Sequence, residues 1–179
     1  MTEEIFIPDA TAEPDAYVLA LLDTLGDRDP VAVYGQTREA VAALVGGLED
    51  RAWLQPPGPG EWNVHQLVGH LVDVDIVYGF RWRLTLTADG PAYPGYDEQA
   101  WANLPKPPPA ELLVVFDALR TLNLALIRSI PATDWRRQAV HSEQGIEDVE
   151  RMIRKVAGHD LAHLNQLRRT IERTGASDD

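Results

Sequence analysis

The chain has no cysteine among its 179 residues. Disulfides, cysteine-ligated zinc, iron–sulfur clusters and a thiol nucleophile are therefore excluded, and any metal must be held by imidazole, carboxylate, carbonyl or water. Positive charge is scarce as well: 16 Lys and Arg stand against 28 Asp and Glu, a formal net charge of −12. Such a chain repels phosphate backbones and anionic lipid, so neither nucleic acid nor membrane is expected as a partner. The basic residues that do gather near the C-terminus, Arg151, Arg154, Lys155, Arg168, Arg169 and Arg173, read as a solvated helix face. Apolar runs long enough to span a bilayer are missing. The opening MTEEIFIPDA is acidic and lacks the apolar stretch of a secretory leader, so a cytoplasmic location is the default expectation.

What the chain does have is strong punctuation. Proline and glycine cluster at 56–60, 90–95 and 105–109, with Pro131 beyond them, and long segments of helical spacing lie between. PDAYVLALLDTL reads as a short N-terminal helix, and Asp29-Pro30 opens a second run with Val33, Thr37, Val41 and Leu44 on one side. Residues 63–87, 109–130 and 146–175 follow, with Asn63 placed as an N-cap and Pro131 and Gly175 as stops. The expected fold is all-α: a four-helix bundle with a short extra N-terminal helix and proline-rich connecting loops, one domain over 1–179 with its core over about 15–175. No alternating segment competes, although AVHSEQGIED at 139–148 has room for a short extended piece. The long 88–108 connection carries Tyr93, Tyr96 and Trp101 and is expected to pack across the bundle. Residues 176–179 are expected to fray.

Five histidines are present: His65, His70, His141, His159 and His163. In GHDLAHL, His159 and His163 are four positions apart, and both fall on an inward stripe with Val149, Met152, Val156 and Leu167. Two neighbouring core imidazoles need more hydrogen-bond partners than an apolar interior supplies, and a metal ion resolves that shortage. His70 lies between Leu67 and Val74 on the facing stripe of helix 63–87, so it is the better third donor; His65 points elsewhere. Gly69 and Gly158, each just before a candidate donor, suggest close helix approach. The competing reading is a metal-free histidine cluster satisfied by Asp73, Asp75 and Asp160. If a metal is present, three imidazoles with open positions suit zinc or nickel, and iron less well. Asp73 is then a partner or a fourth ligand, and His141, in a loop with Glu143, reads as a surface histidine.

Together GEWNVHQLVGHLVDVD, YDEQAWA, FDALR and HSEQGIEDVERMIRKVAGHDLAHLNQLRR resemble the DinB-like superfamily over roughly 15–175. The landmarks are Trp62 ahead of the helix, His70-Leu71, and the late His159/His163 pair. The resemblance implies a four-helix bundle with a divalent-metal site, nickel or zinc, on His70, His159 and His163. It also implies homodimers and a small-molecule substrate. Some relatives are bacillithiol or mycothiol transferases, so the leading expectation is a metal-dependent S-transferase. In it a metal-activated low-molecular-weight thiol attacks an electrophile, with Arg81, Arg83 or Arg168 available for the thiol's carboxylates. The alternatives are metal-dependent hydrolysis of an amide or ester, with Asp73 or Glu143 as base, and a non-catalytic small-molecule-binding module. No catalytic residue is assigned.

Overall fold

The computed structural model describes residues 2–175; the expected frayed tail, 176–179, lies outside the described residues. Its helices are α1 (Pro14–Leu25), α2 (Pro30–Val45), α3 (Asp50–Leu54), α4 (Val64–Thr87), α5 (Glu98–Ala102), α6 (Pro109–Ser129) and α7 (Val149–Thr174). The short strands are β1 (Ala92–Tyr93), β2 (Gln138–His141) and β3 (Gly145–Asp148). Helices α2, α4, α6 and α7 form the bundle, and α1 lies along α7. No helix among the described residues is long and apolar enough to cross a membrane.

The helix starts follow from local chemistry. Asp29 Oδ1 accepts from the backbone N–H of Val31 at 2.8 Å and of Ala32 at 3.2 Å, with Pro30 in the first turn. Asn63 and Gln66 form a reciprocal capping box at the head of α4. The last helix starts later than the expected residue 146. Asp148 Oδ1 accepts from Arg151 N–H at 2.8 Å and caps α7, so residues 145–148 are left extended. They pair antiparallel with β2, Gln138 opposite Asp148, and β1 adds a parallel third strand with Tyr93 opposite His141. Thus the sequence pattern understated the extended structure, because each strand is too short for alternation to register.

Two apolar clusters fill the bundle. One gathers Leu67, Leu71, Phe116, Leu164 and Leu167; the other gathers Tyr34, Val74, Trp82, Ile153 and Val156. Along α7 the seam between the clusters falls on histidine, with His159 and His163 between Val156 and Leu164; on α4 the first cluster runs past His70 to Val72 before Val74 joins the second. Gly158 bears out the expected close approach, since a Cβ there would run into the backbone carbonyl of Leu21 on α1. Gly69 differs: its space is taken by the Lys106 side chain rather than by another helix. Backbone cannot give way as a flexible side chain can. Gly158→Ala is therefore expected to destabilise the fold by about 1–3 kcal/mol. Urea unfolding measures this, and an unchanged midpoint would remove close packing as the reason for that glycine.

Candidate metal centre

Three imidazoles converge where α4 faces α7. His70 (0% exposed) and His159 (6%) place their Nε2 atoms 3.0 Å apart. One nitrogen from each of His70, His159 and His163 can be chosen so that all lie within 4.8 Å of one another. The His163 Nδ1–H donates to Gln166 Oε1 at 2.9 Å, which fixes that tautomer and leaves its Nε2 with a lone pair. Burial is the main force on all three. It pushes His163 down to about 4, against the Gln166 hydrogen bond, and holds His70 and His159 well below the usual histidine range. The cluster is therefore three neutral rings. Trp62 walls it, stacked on His163 with centroids 6.3 Å apart and tilted over His70 at 5.0 Å.

Metal-free, the arrangement is poorly satisfied. Two neutral imidazoles facing each other through Nε2 share a single proton, and the Nδ1 atoms of both His70 and His159 are buried without a partner. The carboxylates that the competing reading assigned to the histidines are engaged elsewhere. Asp73 pairs with Lys106 Nζ at 2.9 Å. Asp75 accepts from Arg120 Nε at 3.0 Å, and Asp160 pairs with the same guanidinium. A histidine cluster neutralised by these three acids is thereby corrected. The same contact leaves Asp73 committed to Lys106 rather than to an imidazole.

The carboxylate that does approach is Glu98, at the start of α5, with Oε2 4.0 Å from His70 Nε2. Burial pushes its carboxyl up to about 7, while Arg81 pulls it back. It sits there because Asp97 caps the five-residue α5 by accepting from Ala100 N–H at 2.9 Å, while Trp62 Nε1–H donates to the adjacent Gln99 at 3.0 Å. The 88–108 connection thus packs across the bundle, as expected.

Two cavities open onto the cluster, of about 620 Å³ and 530 Å³, both lined by Trp62, Glu98 and His159. The second also reaches His163 and is edged by the N-terminal segment, whose Ile5 N–H donates to Asn165 Oδ1 at 3.2 Å. Of the remaining sequence candidates, His65 stays outside, its Nε2 2.8 Å from the Pro107 carbonyl. His141 is not a surface histidine: it is 3% exposed and lines the larger cavity, as does Glu143. Arg81 lines that cavity too, whereas Arg83 is tied to Gly79 and Asn123 and Arg168 is exposed. Lys155 departs from the solvated-face reading; it is wholly buried and paired with Glu147.

A sequence model of the DinB superfamily matches residues 34–167. A Bacillus mycoides protein is 29% identical over 136 residues, 73% of this chain and 79% of its own length. A Bacillus cereus strain B4264 protein is 32% identical over 129 residues, 69% and 75% respectively. Both are provisionally named metal-dependent hydrolases. Among solved structures, YfiT from Bacillus subtilis superposes with a TM-score of 0.76 at 26% identity, over 83% of this chain and 87% of that one. It is described as a probable metal-dependent hydrolase with an unusual four-helix bundle topology. The family match spans most of the bundle, the solved relative shares its architecture, and the chain belongs to the DinB superfamily.

Proposed function

We propose that the protein is a metal-dependent hydrolase of a small amide or ester, in which His70, His159 and His163 hold one divalent ion and Glu98 handles the proton of water. The observation that carries this reading is the convergence of three neutral imidazoles within 4.8 Å, with a carboxylate 4.0 Å from one of them. The donor set fits the ion. Two nitrogens on one tetrahedral zinc stand about 3.3 Å apart, close to the 3.0 Å between His70 and His159. Nickel suits the same imidazole donors.

A bound divalent ion supplies a Lewis acid that polarises a carbonyl and lowers the pKa of water. The chain's own groups do the rest. Glu98 Oε2 takes the proton of the attacking water as the C–O bond forms, then returns it to the leaving nitrogen or oxygen as the acyl bond breaks. Its raised pKa, near 7, suits both halves of that transfer. Trp62 closes one wall against bulk water, and Gln166 keeps the His163 lone pair facing inward.

Hydrolysis takes precedence over the thiol-transfer expectation because Glu98 provides a proton acceptor for water beside the cluster, and the names of the relatives point the same way. Protein purified without a histidine tag is expected to carry about one divalent ion per chain, and His159→Ala to lose at least tenfold in metal affinity. Elemental analysis and competition with a chelating dye measure both. Amide and ester panels assayed with and without added thiol should show metal-dependent cleavage indifferent to the thiol. Turnover that requires a thiol, or wild-type metal affinity in His159→Ala, would overturn the reading.

A further inference from the structure

The larger cavity holds a second chemical feature besides the three-histidine cluster. Arg81 is only 4% exposed, yet among the described residues no carboxylate pairs with its guanidinium. One N–H donates to the Pro94 carbonyl at 2.9 Å, and the group lies over the rings of Tyr78 at 5.1 Å and Tyr93 at 4.7 Å. Arginine presents five N–H donors in a planar fork, so most of its capacity is uncommitted. Glu98 acts on this charge only from beyond ion-pair distance, so the spare donors are left for an anion at hydrogen-bond distance. Here the guanidinium lines a cavity, and among the described residues lining it Arg81 is the sole Lys or Arg.

Its neighbours add donors. His141 packs edge-on against the same Tyr93 ring at 5.6 Å, and its Nδ1 accepts from the backbone N–H groups of Glu143 and Gln144 at 3.1 and 3.3 Å. The ring proton must then sit on Nε2, which is left to donate. The Tyr96 hydroxyl, on the same cavity wall, is buried without a partner.

Resting on the hydrolase reading, we propose that Arg81, with His141 and Tyr96, forms a carboxylate-recognition subsite, and that the substrate is an N-acyl amino acid or similar small molecule with a free carboxylate. Asp9, Asp97, Glu98 and Glu143 line the same cavity. Their negative field favours a monoanionic carboxylate over a phosphate dianion. The planar fork of arginine matches two carboxylate oxygens. His70 and Arg81 are eleven residues apart on α4, about 16 Å along the axis, and long helical side chains lean toward the N-terminus. Arg81 thus reaches back toward the cluster, leaving room for a short molecule gripped at one end and cleaved at the other.

The test is binding rather than turnover. Isothermal titration of the full-length, as-purified protein would use N-acetylglycine, N-acetylglycinamide and inorganic phosphate. The free acid is expected to bind about 10- to 100-fold more tightly than the amide, and phosphate more weakly than the acid. Arg81→Met should abolish the preference for the acid, and Arg81→Lys should restore part of it. If the wild type binds acid and amide alike, or phosphate best, the subsite is refuted whether or not the variants fold. A preference for the acid that survives in folded Arg81→Met also refutes it. A chain that binds the acid selectively but cleaves nothing keeps this subsite and loses hydrolysis. One that cleaves neutral amides without that selectivity does the reverse.

Discussion

Replacing Glu98 by glutamine is expected to slow the proposed hydrolysis by about 10²–10⁴-fold while metal content stays at the wild-type level. The substitution keeps the shape of the side chain and removes its ability to take a proton. Direct ligation by a carboxylate requires about 2.0–2.2 Å from the ion. Two ligands of one tetrahedral ion stand about 3.3 Å apart, so an oxygen 4.0 Å from an imidazole nitrogen is close enough to ligate or to act through water, and the proposed role is the second. Steady-state kinetics on the metal-loaded variant, with metal stoichiometry on the same sample, make the comparison. Loss of ion together with activity would make Glu98 a ligand and not a base. Full activity would leave the residue without a part in the chemistry.

The largest stability effect is expected at Arg120. Its side chain is fully buried and gathers Asp75, Asp160 and the Tyr34 carbonyl, the last at 2.8 Å, while stacking on the Tyr34 ring at 3.7 Å. Tyr34 Oη–H in turn donates to Asp75 Oδ1 at 2.6 Å. Burial pushes both carboxyls up, Asp75 to about 6, and the guanidinium opposes that. Arg120→Met leaves two buried acids facing each other, so a loss of about 3–5 kcal/mol in unfolding free energy is expected. Combining it with Asp75→Asn and Asp160→Asn should recover much of the loss, because no unpaired charge then remains. Urea titrations of the single and triple variants measure this. A triple variant as unstable as the single one would mean that Arg120 acts through its packing and not through its charge.

The helices and the convergence of the three histidines were legible in the sequence because they rest on periodicity and capping, which are local. Asp29, Asn63 and Pro109 mark starts that the fold uses, and the three- and four-residue steps put His70, His159 and His163 on inward stripes. Glu98 was not legible. Its position depends on a five-residue helix in a long connection, and one acid beside Asp97 in YDEQAWA carries no sign of where it points. Arg120 was hidden for a related reason: an arginine amid the apolar spacing of α6 reads as a solvent-facing residue until its two acids arrive from other helices. His141 became buried through a strand pairing that spans nearly fifty residues, Tyr93 with His141. What was missed depends on tertiary contact, and each case involves a polar group whose partner is remote in sequence.

Helices α4 and α7 each give an imidazole to one cluster and a carboxylate to one guanidinium. On α4 these are His70 and Asp75; on α7 they are the adjacent His159 and Asp160, about 100° apart around the axis. Turning either helix to spread the imidazoles drags an acid away from Arg120. The buried triad therefore works as a torsional lock on the two donor helices. Ring spacing is thereby fixed as the chain folds, and under the proposed function an incoming ion would meet a gauge already set rather than one it must pull into shape.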